Sequence, residues 1–147
     1  IIDSTFSVPS PTLVEQVQTA VDPLQNAGEG LGTAPIGHVV KVEGVKSEIV
    51  DLSFTLTYQQ GWSWEDVQSY VEQTIEAYFE ELSETWADQE QALVVRVSQI
   101  ESRLLGVSGI LDIADTKING LAANYTLNLD YIPVLGEITP TTGTQSL

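Results

Sequence analysis

The sequence predicts an α+β fold: a mostly antiparallel sheet packed by one long and one short helix, preceded by a further helix and a glycine-rich connector. Leu52, Phe54, Leu56 and Tyr58 alternate with Ser53, Thr55 and Thr57, the two-residue rhythm of a half-buried strand. Val67, Val71, Ile75, Tyr78, Leu82 and Trp86 fall on one helical stripe about six turns long. Leu111 and Ile113 around Asp112, then Tyr125, Leu127, Leu129 and Tyr131, return to the strand rhythm.

In chain order, Ser10-Pro11 supplies an N-cap serine and a proline at the first helical position. Leu13, Val14, Val17 and Val21 then recur at helical spacing until Asp22-Pro23 stops the helix. The connector GEGLGTAPIGH follows, and Val40 and Val42 predict a strand that bends at Gly44 into the strand of residues 52–58. Ser63 and Asp66 have capping-box spacing and open the long helix. Ser98 and Glu101 repeat that spacing before a shorter helix carrying Ile100, Leu104 and Leu105, with Gly106 or Gly109 at its C-terminal end. Val95-Arg96-Val97 predicts a brief extended pairing, and Asn119-Gly120 a tight turn. Pro133 cannot donate a ladder hydrogen bond, which puts residues 132–138 at a sheet edge or outside it. The closing TPTTGTQSL reads as a frayed polar tail.

Composition narrows the function classes. The 147 residues are 42% hydrophobic, enough to bury a core, with three tryptophans and five tyrosines. The 21 acidic against 5 basic residues give a formal charge of −16, a field that repels phosphate backbones and anionic lipid. Nucleic acid and membrane are therefore poor partners, and basic protein surfaces or cations better ones. Cysteine is absent, so the chain has no disulfide and no thiolate metal site. The opening Ile1-Ile2-Asp3 has no basic segment before it and reads as cut from something longer.

None of the chemical motifs assembles into a catalytic, cofactor-binding or metal-binding site, and the sequence predicts no enzyme and no cofactor. The glycine loop lacks the lysine and hydroxyl residue that end a phosphate-binding loop. It also follows a helix and precedes a strand, the reverse of the dinucleotide fingerprint, and so reads as a connector. His38, the single histidine, has neither cysteine nor a second histidine as co-ligand and reads as a surface residue. Glu72, Glu76, Glu80 and Glu84 form a four-residue-spaced row, either a solvated helix face or a docking face for a basic partner. Trp62 and Trp64 flank Ser63 and cannot both point inward. One belongs in the core; the other is a candidate interface anchor or sugar contact.

The run from Pro11 to Val42 resembles a signature of the baseplate J-like proteins of contractile-tailed phages and prophages. Val17-Gln18, Asp22-Pro23, Gly28-Glu29-Gly30 and Ala34-Pro35-Ile36-Gly37 match it in order. Further on, the long helix, Val95-Arg96-Val97-Ser98, Leu104 to Ile110 and Ile132-Pro133-Val134-Leu135-Gly136 also resemble family segments. The resemblance covers residues 10 to 140, and family members are longer, which makes this a C-terminal part with Ile1 to Ser4 ending a preceding strand. It implies residues 1–33 as the end of a preceding domain, residues 34–140 as a C-terminal α+β domain, and residues 141–147 as a flexible tail.

The function implied is structural: a baseplate wedge component in the virion tail, assembled in the bacterial host cytoplasm. It would bind other baseplate and tail proteins and copies of itself, with no catalytic residue. In that setting GEGLGTAPIGH reads as a joint whose glycines let the chain turn freely. A receptor- or carbohydrate-binding module using Trp62 or Trp64 is the alternative, and an enzyme built on paired carboxylates comes third.

Overall fold

The computed structural model describes residues 1–89 and 91–143, and the chain divides into two compact units, Ile1–Lys46 and Ser47–Leu147. The first is built on α1 (Pro11–Val21). Ser10 caps it as predicted, its hydroxyl accepting from Leu13 N–H at 3.1 Å. The apolar stripe of α1 is only half-buried, and its buried residue is Gln18.

Residues 38–45 do not form the predicted strand. They run extended without a backbone partner on one side, because their amides are bonded by side chains of α1 instead. The first unit therefore runs past residue 33, the edge expected for a preceding domain: Gln18 and Asp22 tie Val40 and Val42 back to the helix.

The second unit is the α+β body. Its central strand β1 (Lys46–Tyr58) buries Val50, Leu52, Phe54, Leu56 and Tyr58 on one face and shows Asp51 and Ile49 on the other. The helix α2 (Trp64–Thr85) buries Val67, Val71, Ile75, Tyr78 and Phe79. Its N-terminus is closed as Ser63 and Asp66 predict, with the Asp66 carboxylate accepting from Ser63 N–H at 2.8 Å. Leu82 and Trp86 are half-buried, since the helix ends at Thr85 and Trp86 enters a 3-10 turn.

The short strand β2 (Val94–Val95) leads into α3 (Val97–Leu104), which buries Ile100 and Leu104. The predicted Ser98–Glu101 capping box is not the start of this helix. Its first amide, Val97 N–H, is capped from a distance by the Asn124 side-chain oxygen at 2.9 Å. Arg103 on α3 lies over the Tyr78 ring at 4.7 Å and reaches Glu81 at 2.5 Å, tying α3 to α2. Helix α2 packs on the last strand, α3 on β3, and the two helices on each other.

The strand β3 (Ile110–Ile118) pairs antiparallel with β1, with two irregularities at which β3 has an extra residue. At one of them Asp115 takes a left-handed φ of 54°. The bulges break the expected alternation, so that Ile110, Ile113, Thr116 and Ile118 are buried while Leu111 turns outward. Asn119 (φ 49°) and Gly120 (φ 81°) then make the predicted two-residue turn.

The expected strand of residues 125–131 is shorter, β4 (Tyr125–Thr126), paired antiparallel with β2. After it Leu127 N–H still bonds to Leu93 C=O at 2.9 Å, and the chain then turns, with Asp130 at a left-handed φ of 67° and Tyr131 N–H bonded back to Asn128 C=O. The last strand, β5 (Tyr131–Thr142), contains Pro133 and lies at the edge of the three-stranded sheet β3-β1-β5, as the proline requires. Glu137 N–H reaches the Asp51 carboxylate at 2.8 Å and Gly143 N–H the Leu56 carbonyl at 2.7 Å. β5 therefore advances in the same direction as β1, and two of the three strand pairings among the described residues are antiparallel. The strand extends into the expected tail as far as Thr142; residues 144–147 lie outside the described residues.

Candidate functional site

The connector is clasped rather than free. Asp22, at the end of α1, is 1% exposed and divides its carboxylate between two distant amides, Gly28 N–H and Val40 N–H, each at 2.9 Å. These bonds, Val40 first and Gly28 second, hold its carboxyl below the ordinary aspartate range. Gln18, one turn earlier, is 5% exposed. It donates to Asp22 C=O at 2.6 Å and Val40 C=O at 2.7 Å, and accepts from Val42 N–H at 2.6 Å. Thr33 and Ala34 N–H groups bond to Ala20 and Val21 carbonyls at 3.0 and 2.9 Å, and Gly37 N–H to Gly28 C=O at 2.7 Å.

Glycine is needed here for two different reasons. Gly28 and Gly30 sit at φ of 81° and 74°. At Gly32 a side chain would run into the backbone of Ala20 and Val21. The reading of a freely turning joint is thereby corrected: the glycines let the loop lie against the end of α1, and side-chain bonds fix it there. His38 stands exposed beside this loop.

On the second unit, the acidic row of α2 has company. Glu76, Glu80 and Glu84 are exposed and Glu72 half-buried, its carboxylate accepting from Gln68 at 3.1 Å. Glu72 and Glu76 line a shallow recess of about 330 Å³ with Trp64, Gln68 and residues 135–138 of β5, which add Glu137. Three carboxylates and no basic side chain line it, the electrostatics of a seat for a lysine or arginine.

Neither tryptophan enters the buried core: Trp64 is half-buried and Trp62 more exposed. Trp64 meets Phe54 edge-on, centroids 6.5 Å apart, while Trp62 stays 39% exposed. The Trp62 ring lies against Gly109, where any Cβ would run into it. It borders a recess of about 570 Å³ with Tyr70, Gln73, Thr74, Ala77 and residues 106–108. Among the described residues no group of histidine, cysteine, aspartate or glutamate side chains could hold a metal ion, and no helix is long and apolar enough to cross a membrane.

The sequence model of the baseplate J-like protein C-terminal domain matches residues 50–141, the greater part of this chain. The chain belongs to the baseplate J-like family. The phage-like element PBSX protein XkdT of Bacillus subtilis (strain 168) is 31% identical to it over 129 residues, 88% of this chain and 35% of that protein. An uncharacterized protein of the same strain, YqbT, is 32% identical over 129 residues, with the same shares covered. The chain spans about a third of the length of these curated relatives.

Within this baseplate J-like chain, sequence reasoning located Trp62, Trp64 and the glutamate row. It did not find Gln18 and Asp22 as a clasp. The signal was a polar pair at helical i, i+4 spacing, Gln18 interrupting the Val14, Val17, Val21 stripe. Nor did it find Glu137 or Tyr70, which join their recesses only through the packing of α2.

Proposed function

We propose that this chain is a non-enzymatic structural component of a phage or prophage tail baseplate, a wedge element that works through protein-protein contacts. The match of the baseplate J-like C-terminal domain to residues 50–141 carries the reading. The acidic recess between α2 and β5 supports a basic surface on a neighbouring baseplate or tail protein as partner. The formal charge of −16 argues against nucleic acid and lipid. The protein would self-associate in the particle, reside in the virion tail baseplate, and be assembled in the host cytoplasm.

Cross-linking mass spectrometry on purified particles tests this. Cross-links from α2 or β5 to other tail proteins are expected, and deletion of residues 50–141 should yield particles without complete baseplates. Intact, contractile particles after that deletion would overturn the proposal.

A second reading, a receptor- or carbohydrate-binding module, is favoured by the exposed Trp62 and Tyr70 at one recess. Trp62→Ala separates the two. Lost adsorption with normal particle yield supports the second reading, and lost yield the first.

A further inference from the structure

The extended run of residues 39–45 is hydrogen-bonded along one edge and open along the other. In an extended chain, the N–H and C=O of successive residues point to opposite edges. Val40 and Val42 turn theirs toward α1, where Gln18 and Asp22 bind Val40 N–H, Val40 C=O and Val42 N–H. The odd-numbered residues face the other way. Glu43 C=O accepts from the Ile1 nitrogen at 2.6 Å, and Val45 N–H donates to Ile1 C=O at 2.6 Å. One residue bonded to positions on either side of Gly44 is the unit step of a parallel ladder, with Ile1 paired to Gly44. Beyond that step, Glu43 N–H, both backbone groups of Lys41 and the Val39 carbonyl have no hydrogen-bond partner among the described residues. Lys41 and Glu43 occupy each other's side chains, 2.8 Å apart, which leaves this backbone edge accessible.

We infer that in the longer protein the residues immediately upstream of Ile1 form a strand running parallel to residues 39–43 on this open edge. The register follows from the Ile1 pair. The residue two places upstream of Ile1 accepts from Glu43 N–H and donates to Lys41 C=O. The residue four places upstream accepts from Lys41 N–H and donates to Val39 C=O. An upstream strand has the advantage over a second copy because its first ladder bonds are already made and no loop remains to be closed. The curated relatives extend well beyond the matched stretch, whose 129 residues are 35% of their length. The stretch whose valines read as a strand in the sequence is then the outer strand of a two-stranded ladder, locked to α1 on its far side by the clasp.

Hydrogen exchange on the full-length protein tests this directly. The Lys41 and Glu43 amides should exchange about as slowly as Val42 N–H, which Gln18 holds. A cysteine pair, Lys41→Cys with cysteine three places upstream of Ile1, should close a disulfide within one chain under mild oxidation, and the same pair moved four residues further upstream should not. Fast exchange at Lys41 and Glu43 would overturn the inference, as would a disulfide that joins two copies. If the cysteine variant fails to fold, the exchange measurement on the unmodified protein decides.

Discussion

Replacing Gln18 with leucine removes the clasp on one side and leaves the volume nearly unchanged, so that the loss measures hydrogen bonding and not a cavity. The side chain is 5% exposed and makes three bonds of 2.6 to 2.7 Å. At about 1 kcal/mol net for each bond the cost is about 3 kcal/mol. Water does not fully offset it, because Val40 and Val42 are half-buried and their freed groups are only partly solvated. Urea unfolding of the variant and the parent reads the difference, the midpoint falling by roughly 2 M at a slope of about 1.5 kcal/mol per M. Exchange at Val42 N–H should accelerate together with it. A loss below about 0.5 kcal/mol with Val42 N–H still protected would show that the loop is held by something other than this amide, and the account of the clasp would be wrong.

Asp22 should give the clasp an acid limit. Its folded carboxyl lies below the ordinary value of 3.8, so the stability it contributes is fully present above that value and is lost as pH falls through the lower folded value. Asp22→Asn should be less stable than the parent at neutral pH and should flatten that acid slope; parallel pH profiles would refute the assignment. Gly109→Ala should cost about 2 kcal/mol, since φ is +94° and the new Cβ meets the Trp62 ring, and should red-shift tryptophan emission. An unshifted spectrum would mean that Trp62 does not rest on Gly109. Ile75→Ala, at a fully buried position on α2, should cost about 3 kcal/mol by thermal or urea unfolding, and less than 1 kcal/mol would mean that α2 is not seated on the sheet as described.

The main body was legible because its signals are local and reinforce one another. The alternation of residues 52–58 and the helical stripe from Val67 to Tyr78 each bury the predicted face. Asn119-Gly120 adopts the left-handed pair that its residue types favour. What failed did so where a long-range partner replaced a local one. Ser98 looked like a cap, but Asn124 caps α3 from across the β2-β4 ladder. Val40 and Val42 looked like a strand seeking a strand, but the amide and carboxylate of α1 satisfy the same groups. Leu111 looked inward until the bulge between Ile110 and Asp112 in β3 rotated it out, a displacement that no alternation count includes.

The candidate surfaces were legible as residue types and illegible as places. That one of Trp62 and Trp64 must face out follows from their spacing, but which one depends on Gly109, far along the chain, offering a seat that only a residue without Cβ leaves open. The glutamate row is visible as a period of four, yet a row of like charges is equally a solvated face. What distinguishes Glu72 and Glu76 from Glu80 and Glu84 is that β5 brings Glu137 beside the first two, concentrating three carboxylates at the middle of α2. A basic partner should therefore feel that part of the helix first. Neutralising Glu72, Glu76 and Glu137 together should slow its association more than neutralising Glu80 and Glu84, and the gap should close as salt rises and screens the field over about 10 Å or less. Equal slowing by the two sets would place the contact along the whole row and remove β5 from it.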